Sequence, residues 1–489
     1  MSTAPARSLA VVLFFIFLTI TLESCSSLHS AAIAITHVSV IDATGAATRP
    51  DLTVIVADER ITAVGAANKV GIPRGAKVVD GSGKVLIPGL ADMHIHLTGA
   101  GEPSGSREFI LPLLVANGIT TVRDMGGKVE YLKQLRSEIN SGKQVGPQIF
   151  FTGPYLDGNP PSFQPSIVVQ TAAEATAAVE KLKGEGVDFI KVQSRLQPEA
   201  YYAIARESQK LGIRFLGHVP DSITAAAASD AGQASIEHLT GVLLGCSSRE
   251  EELRQRRLAP LPAKENKERA RARDRVWIED LLDSYSPQKA ANLFQKFSAN
   301  RTWQVPTFPL LIHLAYLVPE TDRTGDPRLK YIPRDVRETW DKSTKDLMDS
   351  RTEQDFALRR RSVELLLAAV KGMSEAGVSF MAGTDAAAPN VFPGFSLHED
   401  LASLVEAGLT PVQALQAATV KPAEFLGRSA EQGTIEVGKR ADLVLLNANP
   451  LDDIHNTRKI HAVILNGRLF ERSELDALLA EVEQFASRH

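Results

Sequence analysis

Short alternating runs of apolar and polar residues fill the chain from Ala32 to Pro88, at 34–40, 52–57, 61–64, 77–80 and 84–86. Period-two alternation sends successive side chains to opposite faces, and the Gly and Asp residues between the runs predict an antiparallel β unit. From Ile87 the pattern changes. Apolar, β-rich runs now alternate with helical stretches, and eight occur, at 91–97, 120–125, 148–153, 189–193, 214–219, 235–239, 303–308 and 379–385. Eight strands with crossover helices predict an α/β fold of the (β/α)8 TIM-barrel type over 87–432. After Leu426 the β signals return at 433–435, 441–446 and 462–465, with a turn at Asn466-Gly467. The flanking segments, 30–86 and 433–470, are each too small to bury a core alone. They are expected to pair into one small β-sandwich, with a closing helix over 471–489.

Two polar stretches interrupt the barrel pattern. Residues 247–300 are rich in Arg, Lys and Glu and read either as a charged helical cover over the barrel mouth or, more simply, as a solvated insertion with i, i+4 ion pairs. A second polar helical stretch, 319–361, is placed to overhang the same end. At the other extreme, residues 9–22 form an unbroken run of apolar and hydroxyl side chains. A bilayer-spanning helix needs about 20 apolar residues, so this run predicts an export signal over 1–25. Leu22-Glu23-Ser24-Cys25 resembles a lipoprotein cleavage box with Glu23 where a small residue is usual. The expectation is a bacterial cell-envelope protein, periplasmic or outer-surface, lipid-anchored at Cys25 or otherwise secreted, and touching the membrane only there; an uncleaved anchor is the third reading.

Composition narrows the chemistry. The 489 residues carry 54 basic and 58 acidic side chains, a formal charge of −4, with no base-reading motif, so no nucleic-acid partner is expected. The two cysteines, Cys25 and Cys246, exclude a disulfide framework and a cysteine zinc knuckle. Any metal must be held by His and carboxylates. His94 and His96 lie two apart in the first barrel run, hence on one face at its C-terminal end. His218, His238 and Asp385 end the fifth, sixth and eighth runs, at the pole where TIM barrels carry their sites. That donor set suits a divalent ion such as Zn²⁺. Lys191, in the apolar fourth run, either snorkels to the rim or loses its proton by burial and adds CO2 to become an anionic carbamate.

Pro88-Gly89-Leu90-Ala91-Asp92-Met93-His94-Ile95-His96, Lys191, His218, Ser235-Ile236-Glu237-His238 and Gly383-Thr384-Asp385 together resemble the metal-dependent amidohydrolase superfamily. Gly118-Ile119-Thr120-Thr121-Val122-Arg123-Asp124 and Phe189-Ile190-Lys191-Val192 are similar to its imidazolonepropionase-like and prolidase-like branch. The resemblance implies a binuclear centre: His94, His96 and Asp385 on one metal, His218 and His238 on the other, and N6-carboxylated Lys191 bridging two divalent ions, Zn by preference. It implies a metal-bridging hydroxide as nucleophile and Asp385 as the catalytic proton carrier. The implied activity is cleavage of an amide in a dipeptide or N-acyl amino acid, with a cyclic amide, lactone or other ester as the alternative and a non-catalytic barrel as the third.

Substrate contacts are expected from Arg195, Tyr155 and His313 on loops at the functional face, while Arg123 and Asp124 read as a rim ion pair. Glu237 is expected to face outward from the barrel, opposite His238, and His398 to be structural. The segments Asp157-Gly158-Asn159-Pro160-Pro161-Ser162-Phe163 and Val219-Pro220-Asp221 depart from the prolidase-like pattern where loops shape the pocket. The expected partner is a small-molecule or dipeptide substrate, and a homo-oligomer is compatible with the sequence.

Overall fold

The computed structural model describes residue 1 and residues 32–98, 105–259, 267–317 and 325–489, so the expected signal segment and Cys25 lie outside the described residues. The N-terminal alternation becomes β1 (Ile33–Val40), β2 (Arg49–Ala57), β3 (Arg60–Ala66), β4 (Lys77–Asp80) and β5 (Val85–Pro88). β1, β2 and β3 are antiparallel neighbours, while β4 and β5 lie parallel to β1 on its other edge, one beside each half.

The barrel follows as β6 (Leu90–Ile95), β7 (Ile119–Asp124), β8 (Gln148–Phe151), β9 (Tyr155–Asp157), β10 (Ser166–Val168), β11 (Ile190–Val192), β12 (Phe215–Gly217), β13 (Ser235–Glu237) and β14 (Trp303–Val305). Parallel pairing runs β6-β7-β8 and β9-β11-β12-β13-β14. Asp188 N donates to Phe151 O at 2.9 Å, which joins the two arcs. The eighth predicted run closes the ring through isolated bridges only, Gln304 to Phe380 on one side and Ile95 to Ala386 on the other. Barrel strands are thus shorter than their apolar runs, because each run continues into the loop that carries the functional side chain.

Inside the barrel, Ala91, Met93, Phe189, Leu216, Val305 and Met381 form an apolar floor, plugged by Phe425. The Phe425 ring lies 5.6 Å from both Phe189 and Trp303. Outside, the crossover helices bury their apolar stripes against the strands in one large cluster. The insertion forms the helices Glu250–Leu258, Lys267–Asp283 and Pro287–Ala299. It carries the expected near-neighbour ion pairs, such as Arg254 to Glu250 and Arg256 to Glu252, and also covers one side of the barrel mouth.

The chain end returns as β15 (Leu443–Leu446), β16 (Ile460–Leu465) and β17 (Arg468–Glu471), with β15 antiparallel to β5. The N- and C-terminal segments therefore share one mixed sheet that curls over a core including Val38, Val54, Ile61, Leu86, Leu443 and Ile464. Two contacts pin this unit to the barrel: Gln148 donates to Asp442 at 3.0 Å, and His398 meets Thr457 Oγ1 at 3.0 Å. His398 is buried and structural, and the closing helix is Arg472–Arg488.

Two stability predictions test this join. Gly467 turns with φ +76°, and a Cβ there would sit 1.7 Å from Asp58 O in the β2–β3 turn. Gly467→Ala should destabilise the protein by about 1–3 kcal/mol in urea unfolding; an unchanged midpoint would mean the two turns do not dock. Burial pushes His398 down to about 3. Its folded pKa lies below the unfolded value near 6.5, so the unfolded chain binds the extra proton and the stabilising contribution, complete above pH 6.5, fades as pH falls toward 3. His398→Gln should flatten the fall in urea midpoint over that window, and an identical slope in the variant would contradict the assignment.

Candidate metal centre

His94, His96, Lys191, His218, His238 and Asp385 converge on one cavity of about 600 Å³ at the C-terminal end of the barrel. The backbone brings them there in three ways. A bulge between Asp92 and Ile95 in β6 breaks strict alternation, so that Met93 joins the floor while His94 also faces the interior. His238 and Asp385 sit just past their strand ends with φ of +56° and +66°, which swings both side chains over the barrel mouth. Lys191 rides on β11 beside Gly217, where the backbones of β11 and β12 pass so closely that a Cβ would lie 2.3 Å from Val192 O and 3.0 Å from Lys191 Cδ.

The imidazoles share one orientation rule. His94 Nδ1–H donates to Glu237 Oε2 at 2.7 Å. Thr307 donates its hydroxyl to Pro306 O, so its oxygen accepts from His238 Nδ1–H at 2.7 Å. His218 Nδ1 pairs with Ser194 Oγ at 2.9 Å, and His96 Nδ1 is 3.4 Å from Gly126 O. With each Nδ1 engaged by a protein oxygen, Nε2 is the nitrogen of each ring left to serve as a ligand, the arrangement metal-binding histidines adopt. His94 Nε2 is buried and has no hydrogen-bond partner among the described residues. Ligand atoms of His94, His238 and Asp385 lie within 4.8 Å of one another, and His94 Nε2, His96 Nε2 and His238 Nδ1 stand 3.4, 3.0 and 4.0 Å from Asp385 oxygens. This donor set fits a divalent metal.

The electrostatics agree. Burial drives His94 and His218 well below the usual imidazole range and His238 to about 4, so these rings are neutral and ligand-ready at pH 7. Although desolvation opposes it, the carboxylate of Asp385 beside His96 raises the His96 pKa. Desolvation lowers the Lys191 ammonium to about 8, which makes the neutral amine accessible near physiological pH. Lys191 is buried rather than snorkelling to the rim.

Below the histidines lies a network that alternation along the sixth run conceals. Glu237 does not face outward: it is fully buried inside the barrel, because the left-handed residue His238 lets both 237 and 238 turn inward. Arg123 is likewise no rim residue. Its Nε donates to Met93 O at 2.6 Å, Nη1 to Ser235 Oγ at 3.2 Å and Nη2 to Glu237 Oε1 at 2.9 Å. Asp124 instead accepts the amides of Leu97 and Gly126.

The expected substrate residues separate. Tyr155 lines the cavity, its hydroxyl 3.4 Å from His96 Nδ1. Arg195 is exposed and spends Nη1 on Pro160 O at 3.0 Å. His313 lines a different, small cavity with Asp326, Arg328 and Asn390. The cavity wall is completed by Phe109, Phe163, Leu310, Val336 and Trp340, the last two from the helix Arg334–Asp349 within the second polar stretch. Phe163 belongs to the divergent segment after β9. Apolar residues in loops give no local sequence signal of their role.

Glu237→Gln keeps the shape but removes the charge that fixes His94. Metal affinity, read by chelator competition, should fall about 10- to 100-fold, and an unchanged affinity would detach Glu237 from the centre.

The chain is 35% identical over 135 residues to a 5-methylthioadenosine/S-adenosylhomocysteine deaminase of Moorella thermoacetica, covering 24% of this chain and 32% of that protein. It is 40% identical over 72 residues to an imidazolonepropionase of Geobacillus sp., covering 14% and 17%. The chain thus spans about a third or less of these curated relatives. Among solved structures, a bottromycin amidohydrolase superposes with a TM-score of 0.73 at 22% identity, covering 93% of this chain and 90% of that one. A putative prolidase from Bifidobacterium longum gives 0.62 at 26% identity, covering 92% and 99%. The Amidohydrolase family model matches residues 85–269 and 336–470, the stretches that contain all six converging side chains, and the chain therefore belongs to the amidohydrolase family.

Proposed function

We propose that this protein is a binuclear metal-dependent hydrolase that cleaves the amide of a dipeptide or N-acyl amino acid. The observation that carries the reading is the convergence of four imidazoles, Asp385 and a buried lysine on one cavity, with His94 Nε2 making no hydrogen bond among the described residues. His94, His96 and Asp385 would hold one cation and His218 and His238 the other, with Lys191 between them as its carbamate. In carbamate formation the neutral Nζ bonds the carbon of CO2 and releases a proton. When bound, such cations would polarise a carbonyl and lower the pKa of bound water to about 7.

The chain's own groups do the rest. Asp385 takes the proton of the attacking water and delivers it to the departing nitrogen, which matters because amines leave poorly unprotonated. Tyr155 stands at the edge of the site as a hydroxyl donor, its proton held firmly by burial. Phe109, Phe163, Leu310 and Trp340 exclude water and seat an apolar acyl group or side chain. One observation supports the second reading, a cyclic amide, lactone or other ester: apart from Lys191 no lysine or arginine lines this cavity among the described residues.

The test is a mass-spectrometric hydrolysis screen of the zinc-loaded protein starting at Ser26, against dipeptides, N-acyl amino acids, cyclic amides and lactones. Cleavage concentrated in the first two sets, favouring bulky apolar groups, is the expected result. Asp385→Asn should lose about 100- to 10,000-fold in turnover. Ring opening alone moves the assignment to the second reading, and silence in every set with two metals bound refutes hydrolysis. Lys191→Ala should lower both metal content and turnover, and full activity would remove the carbamate bridge.

A further inference from the structure

The helix Phe308–Ala315 stands between two cavities. Leu310 faces the metal centre, whereas Leu311 and Leu314 line a second cavity of about 550 Å³ that shares no residue with the first. Its floor is the loops after β11, β12 and β13, with Ser194, Val219 and Leu239. Its roof is the charged insertion, through Trp277 and Leu281, and its far wall is the helix Glu353–Glu375. The volume suits a small molecule.

The charges around it are unevenly matched. Asp221 faces Arg257 at 3.6 Å, Asp274 faces Arg273 at 3.7 Å, and Glu250 is shared by Lys289 at 2.8 Å and Arg254 at 3.6 Å. Each acidic side chain of the lining thus already has a cation. Two arginines of the lining are incompletely satisfied. Arg254, 5% exposed, gives Nη2 and Nε to Glu251 at 3.0 and 3.3 Å, but its Nη1 has no hydrogen-bond partner among the described residues. Arg359 Nε has no acceptor among the described residues either, and Asp355, the nearest acid in sequence, is claimed by Arg275 at 2.9 Å. Buried unpaired guanidinium donors are costly unless something supplies acceptors. Planar guanidinium forks match carboxylates in two-point contact, and the surrounding Leu and Trp side chains match an apolar body.

We propose that this second cavity is a binding site for a small apolar monocarboxylate, with Arg359 and Arg254 receiving its carboxylate and Trp277, Leu281 and Leu311 its hydrocarbon. The site lies directly behind the metal-facing histidines. Ser194, on its floor, holds His218 Nδ1, and Leu239 follows His238 in the chain. The inference stands independently of the hydrolase reading, because it uses none of the metal-centre residues.

The experiment is calorimetric titration of the full-length, metal-free protein with decanoate and 2-naphthoate, beside decan-1-ol and 2-naphthamide. Saturable binding of the carboxylates, at least tenfold tighter than that of the neutral analogues, is expected. Arg359→Met should weaken it tenfold or more, Leu311→Trp should abolish it by filling the cavity, and Leu310→Trp, which fills the other cavity, should leave it unchanged, with circular dichroism confirming that each variant is folded. The proposal is overturned if the unaltered protein shows no saturable binding or no preference for the charged form. Loss in Leu310→Trp with retention in Leu311→Trp would also overturn it, by placing the ligand at the metal centre.

Discussion

The Arg123–Glu237 ion pair sets the terms for everything above it in the barrel. Both side chains are fully buried, and taking two charges out of water costs several kcal/mol each unless their remaining hydrogen-bonding capacity is met. Here it is met. The guanidinium uses all three nitrogens on Met93, Ser235 and Glu237 and stacks 5.2 Å above the Phe425 ring. The carboxylate accepts from Arg123, Ser235 and His94. One layer of charge thus separates an apolar floor from a polar ceiling, and the single acceptor left over is spent on fixing the tautomer of His94. The price of that order is fragility: removing either partner strands the other as an unpaired buried charge, typically at 3–5 kcal/mol.

Much of this could be read from the chain. The barrel, the composite β unit and the six convergent side chains all follow from periodicity and from motif residues placed at strand ends. What escaped were places where the backbone leaves the strand it was read as. With His238 assigned inward, alternation sends Glu237 outward, and only the left-handed conformation at 238 allows both to turn in. The bulge in β6 does the same for Met93 and His94. Arg195 shares the parity of Lys191, but β11 ends at Val192, after which Ser194 turns to His218 and Arg195 falls to the loop it ties to Pro160. The partnership of His238 with Thr307 spans 69 residues of sequence, beyond any local pattern.

The helix Phe308–Ala315 shows how one apolar segment comes to wall two cavities. Its sequence, Phe-Pro-Leu-Leu-Ile-His-Leu-Ala, is nearly uniform in hydrophobicity, so periodicity cannot say which face matters. In the fold, the residue before it, Thr307, orients His238, Leu310 walls the metal cavity, and Leu311 and Leu314 wall the other. Small shifts of this helix would therefore be felt at His238 and in both cavities together.

The apolar wall of the metal cavity also constrains what can react there. An anionic substrate group brought into such a wall must either keep its water or find a cation, and the arginine expected to supply one is engaged with a loop carbonyl instead. Neutral groups incur no such penalty. Low polarity also strengthens the pull of Asp385 on the imidazoles around it and favours the uncharged form of Lys191. The same environment that favours the neutral Lys191 amine thus leaves any carboxylate of a substrate to stay hydrated at the mouth of the cavity, and leaves selection of the apolar group to the shape made by Phe109, Phe163, Leu310 and Trp340.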